Sequence, residues 1–585
     1  MKIVDKLLAF TSTNSGLFFI CSILSVLFFI YYFGAAVINF GYTDWLMSDE
    51  IWVDVQSTYT TWRLFLNADW MFPFRIDNIA YPLETSVAFL NPPILWSLFF
   101  KFLSPLFPQN FQYLGFMCLV HYILMGGISG ILLKKLTNNS IFSILGSLIF
   151  LLSPYMLQRV YYHGLLTAHF IIILCIYFCV PKRAPRKLHE IIIIWTGLVV
   201  FASVQHFYFV PMVLFFMFAY LIDDYCETKK VIRQSAVLLS SVVCTLLTMF
   251  ACGFFYGEQD TIQLGLGFFS ANLNTFINSM DTSAFLPQLK LATEGQYEGY
   301  SYLGLGVIAG IIFVICAAIR QIIIRRSIIK EKFLTKPSII RRTILAAAVI
   351  SAALIMALSP IVTLNQSVLF HIPIPKFIED IWGAFRSTGR MAWIVSYIIT
   401  VFTIQAIYKL YGKKFSLAII SAIVIFQFAD LNDYFKSTGD PYKEKIEYKS
   451  KLSRPEWKIL AEKYKYFFFM HENQHAPDYY MHFDIAYLAA DNNCRINNHF
   501  LAREDADLLN SIKRYEWKNI LENRADPEKL YLFLSPNKAL NFFEEYLYEN
   551  NLGYLNFHFY KIDNYIIGLK EKEDFLEKYL WRAFY

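Results

Sequence analysis

Charge is scarce in this chain: Asp, Glu, Lys and Arg make up 17% of its 585 residues, against 56% hydrophobic and 18% aromatic. So little polar surface excludes an ordinary soluble globule and predicts a polytopic membrane protein. Cysteine offers no framework either, because eight of the nine lie in or beside apolar runs, only Cys494 sits in a polar region, and no CxxC pair occurs. That excludes a disulfide scaffold and a thiolate metal site. There is no internal repeat and no low-complexity tract. Lys2 and Lys6 precede the first apolar run, but no small-residue cleavage site follows it, so that run is expected to be an uncleaved first helix rather than a signal peptide. The net charge of +6 comes from short basic clusters between apolar runs, the pattern of cytoplasmic loops rather than of a nucleic-acid surface.

What is abundant is span-length apolar sequence. With ~20 apolar residues needed per crossing, eleven runs qualify, near 17–39, 113–133, 139–157, 164–180, 190–205, 206–223, 235–256, 302–324, 343–363, 391–411 and 415–431. A twelfth, 93–107, is short, carries Lys101 at its centre and a proline near each end, and is expected to be interfacial or re-entrant. The positive-inside rule supports that choice. Lys134 and Lys135, the basic residues from Lys182 to Lys187, Lys229 to Arg233, Arg320 to Arg342, and Lys413 with Lys414 then all fall on the side of the N-terminal lysines. The expected topology has the N-terminus cytoplasmic and the C-terminus extracytoplasmic, in the plasma (bacterial inner) membrane. Residues 1–431 are expected to form the membrane domain, with outer loops 40–112, 257–301 and 364–390. Residues 432–585 are expected to be a soluble extracytoplasmic domain whose alternating segments predict an α/β fold. That domain has no glycine-rich phosphate loop and no metal-ligand spacing, which suits a lid, docking or acceptor-facing role.

The first outer loop concentrates acids: Asp44, Asp49, Glu50, Asp54, Asp69, Asp77 and Glu84, opposed by Arg63, Arg75 and Lys101. Trp-rich and amphipathic, it is expected to lie along the membrane surface. Asp54 follows Glu50 by four residues, one turn along a single face if the segment is helical. A carboxylate placed there can serve as a general base towards an acceptor hydroxyl; the same acids also suit a solvated helix face. Cations on the outer side call for a reason. Arg159 and His163 follow the third span at i and i+4, His169 comes next, His206 marks a short outer turn, and Arg386 and Arg390 close the third loop, again at i and i+4. Such groups suit a lipid phosphate, with charge balancing and snorkelling as the alternatives, and a hydrogen-bonded structural role for His169 and His206. The histidines have no metal-motif spacing.

The segments DVQSTYTTWRLF, WMFPF, FKFLSPLFPQNFQYLG, RVYYHGLLTAHF, GFFSANLNTFIN, EGYSYLGLG, FRSTGRMAW and INNHFLARED together resemble an uncharacterised bacterial membrane-protein family grouped with the GT-C superfamily of glycosyltransferases. The long acidic first loop and a PPIL motif opening an interfacial helix resemble GT-C enzymes more generally. That resemblance implies an inverting transfer of a sugar from a polyprenyl-phosphate donor to an envelope glycan, lipopolysaccharide, other lipid or protein, with a first-loop acid as base. Asp54 matches one alignment of that acid; Asp49 and Glu50 match the other. Asn91 stands where some of these enzymes have a lysine, so the donor phosphate is assigned to Arg159, Arg386 and Arg390, with His163 and His206 beside them. Glu298 is an acceptor-side or second-carboxylate position, or a helix cap; His169 is a further secondary candidate. No cofactor is expected. The competing classes are a transporter or flippase of lipid-linked saccharide and a non-catalytic scaffold.

Overall fold

The computed structural model describes residues 10–181, 185–256, 266–324, 337–444, 446–470, 479–501, 506–534, 556–563 and 565–581. The basic residues at 2, 6, 182 and 183, much of the run from Arg320 to Arg342, and the helix expected at NFFEEYLYENN lie outside them. Nine strands occur among the described residues: β1 (Arg75–Ala80), β2 (Leu83–Ser86), β3 (Ile361–Leu364), β4 (Ser367–His371), β5 (Tyr466–Phe469), β6 (Arg495–Ile496), β7 (Lys529–Leu534), β8 (His558–Ile562) and β9 (Tyr565–Leu569). The chain forms two compact units: 1–39, 113–248 and 261–444 make one, and 40–112, 249–260 and 445–585 the other.

The expected apolar runs are helical over most of their length, although 343–363 ends in strand β3 and 235–256 leaves its helix at Ala251, and among the described residues fewer than the eleven expected are span-length helices. Seven described helices are long and apolar enough to cross a membrane: Asn14–Phe33, Leu114–Thr137, Leu188–Gln205, Phe209–Thr228, Val231–Ala251, Pro337–Leu358 and Thr388–Lys443. The last contains two expected runs and a break at Gly412, whose φ of 70° is left-handed, a conformation that costs glycine little. Ser140–Leu151 and Pro154–Tyr162 make an eighth as a bent pair, and two shorter apolar helices fill 164–179 and 305–321. Outward faces are apolar, with Leu239, Val242, Val243, Leu246 and Leu247 of one helix all exposed. Such a belt suits lipid rather than water, and the chain is a multi-pass membrane protein.

Polar residues inside these apolar runs stitch the helices together. Asp430, fully buried, accepts hydrogen bonds from Tyr302 Oη (2.8 Å), the Leu305 N–H (2.9 Å) and Ser283 Oγ, so it caps the start of the helix at Leu305. Gln427 donates to the carbonyls of Leu152 (3.2 Å) and Leu303 (3.1 Å). The segment EGYSYLGLG is thereby fixed against the helix that begins at Ala392, where Trp393 Nε1 also donates to Tyr300 O (3.1 Å).

The second unit joins the first outer loop to the C-terminal region, a division that differs from a boundary at 431. Helix Val53–Asn67 does not lie exposed along a surface as the acidic composition predicts; it is buried from Val55 to Phe65. Its polar groups are matched from far along the chain. Arg63 pairs with Asp491 (2.8 Å), Asn67 Nδ2 donates to Ala490 O (2.5 Å), and Thr60 Oγ1 meets His499 Nε2 (3.0 Å). The 93–107 segment forms a nine-residue helix, Ile94–Phe102, about 14 Å long and too short to cross a ~30 Å hydrocarbon core. Lys101 is buried there, and Nζ donates to the carbonyls of Phe65 and Ala68 at 2.6 Å each. The C-terminal strands form one mixed sheet in the order β6-β5-β7-β9-β8, with β5 parallel to β6 and β7 and the other pairs antiparallel. Helices Glu456–Lys463, Tyr479–Asp491 and Ala506–Leu521 accompany it, which gives the α/β character expected of this region.

Two histidines of this unit set a pH dependence. His482 Nε2 and His499 Nδ1 are 3.2 Å apart and both rings are buried. Burial and the charge of Lys513 push His482 down to about 3; burial and His482 hold His499 well below the usual range. An unfolded histidine titrates near ~6.5, so below that pH the unfolded state binds more protons. Stability is therefore complete above pH ~6.5 and falls by about 1.4 kcal/mol per pH unit for each histidine as the pH drops towards the folded value. Thermal unfolding of the full chain followed between pH 7 and 5 should show this loss, and His482→Phe should flatten the slope.

Candidate functional site

The first unit brings Glu298, expected on the acceptor side, together with three residues expected at the donor phosphate, Arg159, His163 and Arg390. Glu298 lies on the two-turn 3-10 helix Glu294–Gly299, Arg390 on the turn Thr388–Met391 that opens a long span, and Arg159 at the end of helix Pro154–Tyr162, where His163 is the cap. Two glycines allow the approach. A Cβ on Gly389 would lie 2.6 Å from Gly299 Cα, and one on Gly299 would lie 2.7 Å from Ala271 Cα. With the backbones in contact, the neighbouring side chains meet directly. Arg390 binds Glu298 through both forks, Nε to Oε2 at 3.0 Å and Nη2 to Oε1 at 2.7 Å. Arg159 Nη2 reaches Glu298 Oε2 at 2.9 Å and its backbone carbonyl at 3.2 Å. His163 Nε2 stands 3.7 Å from Oε1.

The cluster is buried: Arg159 is 1% exposed, Glu298 3% and Arg390 7%. Aromatic rings complete it, with the Arg159 guanidinium over Trp393 (5.2 Å) and that of Arg390 over Tyr208 (4.4 Å). Burial alone would raise the Glu298 carboxyl, but the charges of Arg390 and Arg159, with His163, outweigh it and hold the group well below the usual carboxylate range. Two guanidiniums on one carboxylate leave one excess positive charge. Arg159 Nε is buried with no hydrogen-bond partner among the described residues.

Of the remaining predicted residues, His206 lies beside the cluster, its ring 5.4 Å from that of Tyr208 and its imidazole pushed down by burial and by the charges of Arg390, His163 and Arg159, whereas the others stand apart. Arg386 is exposed and stacks on Phe269 (4.9 Å), because the chain turns between 384 and 390 instead of continuing a helix that would align it with Arg390. His206 caps helix Leu188–Gln205 and accepts a weak hydrogen bond from the Tyr208 N–H (3.4 Å). His169 lies one layer deeper, its ring 4.4 Å from that of Trp393 and its Nδ1 2.9 Å from Tyr397 Oη. Trp393, Tyr208, Gly389 and Gly299 were not singled out by the sequence; the only signal for them was their place beside the charged motif residues in FRSTGRMAW, QHFYF and EGYSYLGLG.

In the second unit the three loop acids separate. The helix starts at Val53, so Asp49 and Glu50 precede it and do not share a face with Asp54. Asp49 pairs with Lys451 (3.0 Å), and Glu50 is exposed. Asp54 stands in the first turn, half-buried, where a carboxylate complements the helix's positive end, and Trp52 Nε1 donates to its Oδ2 (2.8 Å). Asn91 Nδ2 donates to Ser57 Oγ (2.6 Å). Among the described residues no group of three or more His, Cys, Asp or Glu is arranged to hold a metal ion.

These features define a multi-pass membrane protein with a buried arginine–carboxylate cluster at the ends of its spans. The chain belongs to the family described as Domain of unknown function (DUF6311), whose model matches residues 22–432, and the DUF6311 C-terminal domain matches residues 456–570. No curated protein matches it. Two solved structures from Archaeoglobus fulgidus are similar at 11% identity and a TM-score of 0.37. One is an oligosaccharyltransferase in its apo form, with 82% of this chain and 64% of that one covered; the other is the oligosaccharyltransferase AglB with an inhibitory peptide and a dolichol-phosphate, covering 94% and 74%. The chain thus spans 64% of the length of the first.

Proposed function

We propose that this protein is a GT-C-type membrane glycosyltransferase that takes a sugar from a polyprenyl-phosphate donor and passes it to an envelope glycan, lipid or protein outside the cytoplasm. The observation that carries the reading is the Arg159–Glu298–Arg390 cluster. Buried ionisable groups in a membrane domain are costly to keep, and among the described residues this set retains one uncompensated positive charge and an unpartnered guanidinium N–H. A phosphodiester carries one negative charge, and a guanidinium offers it paired donors. As the sugar–phosphate bond breaks, the bonding electrons leave with the polyprenyl phosphate, whose developing charge such a cluster stabilises. Asp54 is the proposed base: it takes the proton of the acceptor hydroxyl while that oxygen forms the new bond to the anomeric carbon, which inverts the centre. Asp49, committed to Lys451, ranks behind it.

The test is reconstitution of the full chain in vesicles with a panel of radiolabelled polyprenyl-phosphate sugars and an envelope-glycan extract. Transfer of label to the extract, with release of polyprenyl phosphate, is expected. Passage of intact donor across the bilayer without cleavage would replace this reading with a flippase, and donor neither cleaved nor moved would leave a scaffold.

A further inference from the structure

Between the span Pro337–Leu358 and the turn that carries Arg390, the chain forms the hairpin β3–β4 and the short helix Lys376–Gly383. The inner strand is anchored: Val362 and Thr363 are buried, and Thr363 Oγ1 accepts a hydrogen bond from Gln296 (2.7 Å). The outer strand and the helix are different. Val368 is 59% exposed, Phe370 52%, Phe377 65% and Ile381 68%. On a helical projection at 100° per residue, Phe377, Ile381, Ile378 and Trp382 cover one arc, and Lys376, Glu379 and Asp380 the opposite one. A helix so divided, with its apolar side uncovered, is built to rest on something apolar.

The attachment points indicate what that is. Trp382 Nε1 donates to Met356 O (3.3 Å), in the last turn of the preceding span, and Phe385 stacks on Phe207 (5.5 Å, 5° between planes), in the tight turn between two other spans. Both anchors lie at span ends, which is the level of the bilayer surface. The apolar arc continues the lipid-facing belt, since Ile355 of the same span is 62% exposed.

We propose that Ser367–Phe385 is a membrane-surface anchor, with Phe377, Ile378 and Ile381 inserted among lipid headgroups and acyl chains and the outer hairpin strand lying beside them. The inference does not depend on the transferase reading. Lys376 and Arg386 balance Glu379 and Asp380, so the attraction is apolar and the bound lipid need not be anionic. The anchor holds the start of the Arg390 turn at the bilayer surface.

The test places the photocrosslinker p-benzoylphenylalanine at Phe377, Ile381 or Glu379 of the full chain in vesicles of phosphatidylcholine, alone or with phosphatidylglycerol. All three positions are exposed, so folding tolerates the probe. Lipid adducts are expected at 377 and 381, with equal yield in both lipids, and their loss at 379. Adducts to a second copy of the chain at 377 and 381, or equal lipid labelling at all three positions, would overturn the proposal.

Discussion

Glu298→Gln is expected to destabilise the membrane unit by about 3–5 kcal/mol, the cost of removing one partner from a buried ion cluster. The carboxylate is the sole anion among the described residues bonded to either guanidinium, and all three side chains are nearly inaccessible. Without its charge, Arg159 and Arg390 would face each other in a low dielectric. The neutral amide would keep the shape and satisfy only part of their donors. Its own folded-state acidity sets the pH window. A carboxyl held well below the usual range contributes stability that is complete above its unfolded value of ~4.5, lost only at lower pH. The deficit of the variant should therefore be constant from neutral pH down to ~5. Thermal unfolding of the purified full chain measures it. Adding Arg390→Gln should recover part of the loss, because that double variant no longer has two unpaired charges; a non-additive recovery identifies direct coupling. A Glu298→Gln protein that melts like wild type would show that the cluster is not held together by charge.

The apolar helices were legible because the bilayer imposes a length, and a window of that length reads hydropathy regardless of tertiary contacts; their number as full spans was not, since eleven were expected and seven, or eight with a bent pair, are span-length among the described residues. Polar stitches within them were less legible. Asp430 and Gln427 fall in the run 415–431, which reads as one more apolar span, although an acid within such a run is itself a signal of a buried partner. Arg159, His163 and Arg390 were grouped at one expected phosphate site, but Glu298 was placed apart from them. The convergence of both arginines on its carboxylate was not legible, because Glu298 is 139 residues from Arg159 and 92 from Arg390, and no local pattern links them. Arg386 and Arg390 show the reverse error: i and i+4 spacing aligns two residues only if the helix is continuous, and a turn lies between them. The first outer loop was assigned to the membrane domain because it emerges from the first span. Its ties to the C-terminal region, such as Arg63 with Asp491, act across 428 residues, beyond any sequence periodicity. In the C-terminal region, by contrast, the short apolar strands and amphipathic helices carry period-2 and period-3.6 signals of their own.

The largest catalytic effect is expected at Asp54. A positioned general base contributes roughly 10²–10⁴-fold to a transfer, so Asp54→Asn should lower turnover by about that factor. The substitution is nearly isosteric, and its amide can still accept from Trp52 Nε1, so the fold of the first helical turn is retained. Donor affinity, assigned to other residues, should change little, and the loss should appear in kcat rather than KM. Asp49→Asn removes an exposed pair with Lys451 and should leave turnover within about twofold of wild type. The most direct measurement is therefore steady-state release of polyprenyl phosphate by the wild type, Asp54→Asn and Asp49→Asn on one donor and acceptor. The account predicts that only Asp54→Asn fails while melting like wild type; equal release by all three would contradict it.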